Sequence, residues 1–143
     1  MGGLYGSRML LAGNNVQFVE VQQKAVDALN AGTYIFKDLD SEHRIKAVAA
    51  TKADNLERAD IAFIHTDTNN TAAAGEEAKK ILGPNGWVVT FQNGVGNVEI
   101  LCEILGQDKV VGGISYHSAA SPRPGYAIHT IANKTWIGEL FGG

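Results

Sequence analysis

Hydrophobic and polar positions along the chain follow two alternating rhythms. The stretch SRMLLAG has helical spacing and stops at Gly13, a residue that readily takes the left-handed conformation used at helix ends. VQFVEV (Val16 to Val21) is a β-branched and aromatic run bounded by Asn14-Asn15, which predicts a short, largely buried strand. QQKAVDALNAG returns to helical spacing, with Ala25, Val26 and Leu29 on one side and Asn30 and Gly32 at its end. TYIFKDLDSEHRIKAVAAT carries two strand-like runs, near Tyr34 to Phe36 and Ile45 to Val48, around a polar stretch able to turn a hairpin. It reads as an excursion from a main sheet.

The rhythm continues through ADIAFIHT (Ala59 to Thr66), a strand entering a polar turn, and TAAAGEEAKKIL, a helix with Gly75 as a blemish. GWVVTFQNGVGN is a strand breaking into a glycine turn, and VEILCEILG places Val98, Leu101, Cys102 and Leu105 on one helical face. KVVGGISYHSAA supplies another strand and SPRPGYAIHTIANKTWIGE two more. Strands alternating with helices in this way predict an α/β fold, a doubly wound and mostly parallel sheet covered on both faces.

Composition narrows the function classes. The 143 residues suffice for one domain with a real hydrophobic core, and no segment is long or apolar enough to predict a membrane span. A net charge of −3 gives no basic footprint for nucleic acid, which is set aside as a partner together with the membrane. Cys102 is the single cysteine, so neither a disulfide framework nor a thiolate metal cluster is expected, and a cytoplasmic location fits best. With no signal peptide at the start of the sequence, the sequons at Asn69 and Asn133 read as chance matches.

In a doubly wound sheet, ligands sit beyond the carboxyl ends of the strands, so strand-to-helix turns are the places to search. MGGLYG places Gly2, Gly3 and Gly6 about one turn apart at a helix start, where free N–H groups suit a phosphate and bare Cα atoms suit close packing on a strand. Glu20 lies eighteen residues beyond Gly2, close to the ~20-residue offset at which a carboxylate meets an adenosine ribose. Its charge would repel a 2′-phosphate, which favours NAD over NADP; the alternative is a solvated Glu at a strand end. Asp67 to Asn70 read as caps of the following helix. Gln92-Asn93-Gly94 leaves a hydrophobic strand and would present the Asn93 amide, both donor and acceptor, at the crevice edge. His65, His117 and His129 lack the spacing of a metal site, and no metal is expected; His117 keeps interest only for its place near a strand end.

The blocks GGLYG, TFQNGVGNVEIL, VVGGISYHSAA, PGYAIH and WIGE occur in the order and at the distances found in the amino-terminal domain of 2-dehydropantoate 2-reductases, the ketopantoate reductases. The sequence resembles that family over nearly its whole length. The resemblance implies that residues 1–143 are a partial NAD(P)-binding Rossmann domain lacking its first strand, and that a helical carboxyl-terminal substrate domain is absent. It implies an NADPH-dependent oxidoreductase that reduces 2-dehydropantoate to (R)-pantoate for pantothenate and coenzyme A, with hydride from the nicotinamide and a proton from a lysine.

Carried over residue by residue, Gly2 matches the third glycine of GxGxxG and Met1 the residue before it, so that Met1 reads as an internal methionine. With Gly3 and Glu20 they form the expected cofactor set, joined by Asn93 between nicotinamide and substrate, Ala119 as a backbone contact, and Asp67. Asp67 stands where the family usually has a lysine, and Val21 where it often has an arginine for the 2′-phosphate. These departures leave NADP or NAD open and admit a paralogue that reduces another 2-keto acid. The catalytic lysine belongs to the absent domain, so no catalytic residue is expected here and the chain alone should lack turnover. Loss of the central first strand should leave its neighbours with unpaired edges. A homo-oligomer and a non-catalytic nucleotide-binding module remain open alternatives.

Overall fold

The computed structural model describes residues 1–139; residues 140–143, after which the resemblance puts a helical domain, lie outside the described residues. In chain order the elements are α1 (Gly2–Leu11), β1 (Gln17–Val19), α2 (Gln23–Ala31), β2 (Tyr34–Asp38), β3 (Ser41–Ile45), β4 (Val48–Ala50), β5 (Ala59–Ile64), α3 (Thr71–Ile81), β6 (Leu82–Thr90), α4 (Asn97–Leu105), β7 (Val110–Ser115), β8 (Ser118–Ala120), β9 (Tyr126–Ile131) and β10 (Thr135–Glu139). They form two compact units, one made of Met1–Leu56 and Tyr116–Asn133, the other of Glu57–Ser115 and the chain from Lys134. Each unit has its own apolar core.

In the first unit β1 pairs in parallel with β4, while β2 lies between β3 and β9 in a four-stranded sheet of order β3-β2-β9-β8. The excursion expected around Tyr34 is this second sheet, but its hairpin is shorter than expected: the polar stretch itself forms β3, the turn falls at Leu39-Asp40, and the run from Ile45 to Val48 crosses from β3 to β4, while β9 adds to β2 in parallel. Helix α2 buries Ala25, Val26 and Leu29, the face its spacing predicts, and ends at Gly32 with φ 72°. Asn30 then acts as an extra peptide group. Its amide donates to the Ala49 carbonyl at 2.9 Å and accepts from the Ala49 N–H at 3.1 Å, which ties α2 to β4.

Helix α1 shows why its early glycines are there. A Cβ on Gly3 would overlap the Tyr34 hydroxyl and stand 3.0 Å from the Ala127 methyl, while one on Gly6 would overlap the Phe18 ring. The bare Cα atoms let the helix settle onto side chains from β1, β2 and β9, burying Leu4 with Phe36, Leu29 and Ala127.

The second unit holds a sheet of order β10-β7-β6-β5, parallel except for β10. Helices α3 and α4 cover its core, with Leu101 fully buried and Val98, Cys102 and Leu105 packed beside it, as the helical spacing predicts. Gly75 is no blemish: a Cβ there would stand 3.0 Å from Leu101 and 3.1 Å from Ile104, so the glycine sets how near α3 and α4 lie.

The described strands thus make an α/β fold rich in parallel pairs, in separate sheets instead of one. Among the described residues β1 pairs only with β4, and β5 only with β6. Each therefore presents an open edge, with Val19 and Ile61 exposed on these strands. Such edges are the places where a further strand pairs.

An unobstructed alanine would gain about 1 kcal/mol over glycine inside a helix. Gly6→Ala should instead lower stability by roughly 1–3 kcal/mol, because the ring beneath must be displaced. Gly138→Ala, where nothing lies within 4 Å, should stay within about 0.5 kcal/mol of the parent in thermal denaturation.

Candidate functional site

The first unit contains a groove of about 100 Å³ where the start of α1, the end of β1 and the start of β2 converge. Gly2 and Gly3 line it from α1, Glu20 and Gln22 from the turn after β1, Tyr34 from β2, and Ser121 from the loop before β9. The volume is well below the ~300–1,000 Å³ of pockets that enclose a whole small molecule, so the groove suits one end of an extended ligand. The carbonyl of Met1, the N-cap residue, accepts the Tyr5 N–H at 3.1 Å. Amides ahead of Tyr5 have no acceptor within the helix, the arrangement that favours anions. Glu20 is fixed by accepting the Gln22 N–H at 2.9 Å through one carboxylate oxygen. Burial, and next the Glu20 charge, push the Tyr34 phenol up to about 12.

Gly2, Gly3 and Glu20 therefore share one groove, with Met1 at its helical border. Ala119 does not line it. That residue lies in β8 opposite His129 and packs against the first core.

Asp67 and Asn93 lie in the second unit, in neighbouring turns joined by a polar network. The Thr68 hydroxyl donates to the Asn93 carbonyl at 3.1 Å, and the Asn97 amide donates to the same oxygen at 2.9 Å. Buried Thr71 sits at the centre. It accepts from Gln92 Nε2 at 2.9 Å, and its own proton lies between Asn97 Oδ1 at 2.7 Å and the Thr68 carbonyl at 2.9 Å. Gln92 also donates to the Thr66 carbonyl at 2.8 Å. Gly94 and Gly96 take φ 93° and 87°, which lets the chain double back before α4. The turn is thus rigidly held through the Asn93 backbone, and the exposed Asn93 side chain makes no hydrogen bond among the described residues.

The capping expected of Asp67 to Asn70 takes another form. Neither Asp67 nor Asn70 makes a side-chain cap bond. The Asp67 carbonyl instead accepts the Asn70 N–H at 2.8 Å in a 3-10 turn.

Two features escaped the sequence reading. One is the Thr66, Thr68, Thr71 and Asn97 network, whose legible signal was a threonine and asparagine cluster in both turns. The other is a polar chain in the first unit. Arg8 grips Asp38 with two N–H groups at 2.8 and 3.0 Å, Asp38 accepts from His129 Nδ1 at 2.6 Å, and His129 Nε2 lies 3.0 Å from His117 Nδ1. His129 was read without a carboxylate beside it, because its partner is 91 residues away in sequence. Burial alone would raise the Asp38 pKa, but hydrogen bonds and charge from Arg8 and His129 outweigh that and hold it low. Desolvation, then the positive charge of His129 and Arg8, lower that of His117. In the second unit, desolvation beside Phe63 and Phe91 pushes the stacked His65 ring down to about 4.

Comparison with known proteins decides the family. The sequence profile described as Ketopantoate reductase PanE/ApbA matches residues 1–142. The chain belongs to the ketopantoate reductase family. A 2-dehydropantoate 2-reductase of Archaeoglobus fulgidus is 29% identical over 99% of this chain and 45% of its own length, and one of Pyrococcus abyssi is 31% identical over 96% and 44%. The chain spans about half the length of the curated relatives it matches. Among solved structures, D-mandelate dehydrogenase with NADH and anilino(oxo)acetate shares the Rossmann-type fold with a TM-score of 0.90 over 100% of this chain and 46% of that one, at 16% identity.

Asp38 gives the fold a pH dependence of defined sign. Its folded pKa lies below the unfolded value near 3.9, so its contribution is complete above that value and is lost as pH falls through the folded pKa. Asp38→Asn should cost roughly 2 kcal/mol at pH 7, where it severs hydrogen bonds to a charged group. It should also flatten the loss of stability below about pH 4 in denaturant titrations across pH.

Proposed function

We propose that the full-length protein reduces a small 2-keto acid with a nicotinamide dinucleotide, 2-dehydropantoate being the first candidate and (R)-pantoate its product. The observation that carries the reading is the constrained NGVGN turn, which leaves the Asn93 side-chain amide without a hydrogen bond among the described residues. A side chain held ready in this way can orient a carbonyl oxygen or a carboxamide without first breaking a bond to the protein. The family match over almost the whole chain supports the same reading.

The groove residues fit the cofactor on their own chemistry. Gly2 and Gly3 offer a helix start open to a pyrophosphate, and the free carboxylate oxygen of Glu20 can accept from a ribose hydroxyl. Ala119 would contribute through its backbone, and Asp67 lies in the turn tied to Asn93 by Thr68. Bound there, the dinucleotide supplies hydride for a carbonyl carbon. We read residues 1–143 as part of the dinucleotide-binding domain, with the proton-donating lysine and the rest of the substrate pocket in a helical domain beyond them. The 143-residue chain alone is then inactive.

Glu20 beside exposed Val21 favours NADH, since neither side chain offers a cation to a 2′-phosphate. The same two residues, with Asp67, favour a second reading, a relative that reduces a different 2-keto acid.

Dinucleotide fluorescence titrations of the full-length protein should give NADH binding at least as tight as NADPH; a strong preference for NADPH contradicts the role given to Glu20. Following NADH oxidation with 2-dehydropantoate and a panel of other 2-keto acids separates the two readings. Asn93→Ala should lower turnover by about 10²-fold with the preferred acid. No oxidation with any 2-keto acid removes the proposal.

A further inference from the structure

Tyr34 stands out among the groove residues because its chemistry is unspent. Tyr34 is 8% exposed, its hydroxyl stays open to the groove, and that hydroxyl makes no hydrogen bond among the described residues. The hydroxyl lies against the first turn of α1, where only the absence of a Cβ on Gly3 makes room for it. Glu20 lines the same groove with one oxygen engaged by Gln22 and the other without a donor among the described residues. The groove therefore offers a donor and an acceptor together, next to a helix start, in a space that fits a sugar and little more.

We propose that Tyr34 is a ligand-binding residue of the dinucleotide site, its phenol donating to an oxygen of the adenosine-side sugar while another sugar hydroxyl donates to Glu20. This rests on the dinucleotide reading above and adds a residue to it. A phenol is matched to the task. With its pKa pushed up to about 12 by burial and by Glu20, it stays protonated, and a donor, across all working pH values. The arrangement also gives Gly3 a second purpose, since an alanine there would push the phenol out of its position beside the sugar.

ADP-ribose, which carries the adenosine side without the nicotinamide, is the direct probe. Calorimetric titration of the full-length protein should show Tyr34→Phe binding ADP-ribose about five- to tenfold more weakly than the parent, with an unchanged melting temperature, because the lost oxygen has no protein partner. In the parent labelled with 13C at the tyrosine Cζ, ADP-ribose should shift the Tyr34 resonance. That second readout does not depend on the variant. If the parent fails to bind ADP-ribose, the dinucleotide reading falls and this proposal with it. If the parent binds, Tyr34→Phe binds equally well and the Tyr34 resonance stays in place, the role of Tyr34 alone is overturned.

Discussion

The organisation of the first unit depends on how closely α1 lies on the strands beneath it. Any side chain at Gly3 or Gly6 would collide with Tyr34 or Phe18. That approach brings the open N–H groups of a helix start beside the carboxylate that follows β1 and the phenol that opens β2. The glycines are required first by side chains of the protein itself, and the open helix start is what the close contact leaves exposed.

The second unit reaches a prepared site by different means. Hydrogen bonds centred on buried Thr71 and Asn97 hold the NGVGN turn. Thr71 and Asn97 pair with each other in the interior, and Gln92 and the Asn93 carbonyl extend the network toward the surface. The cost of burying these groups is offset only while every partner is present, which makes the turn rigid. Asn93 contributes its backbone oxygen to that network and keeps its side chain outside it.

Local signals in the sequence were strong where they depended on neighbours in the chain. The apolar faces of α2 and α4 and the left-handed glycines of the NGVGN turn follow from spacing and residue type, whereas the second strand of the hairpin after Tyr34 lies in the polar stretch Ser41–Ile45, because pairing with β2 outweighs its polar composition. The placement of Gly2, Gly3 and Glu20 around one groove was legible because the helix-turn-strand unit of α1 and β1 spans a short length of chain. What could not be read was long-range partnership. Nothing near His129 in sequence announces Asp38, and Tyr34 reads as an ordinary strand residue until α1 is packed over it.

The central claim is that the groove under the start of α1 is where the adenosine end of a dinucleotide lies. A crystal structure of the full-length protein with NADH tests it most directly. The account predicts the adenosine ribose within hydrogen-bonding distance of Glu20 and the pyrophosphate at the amides of Gly2 and Gly3. A dinucleotide bound with that groove empty, its adenosine elsewhere on the protein, would contradict it.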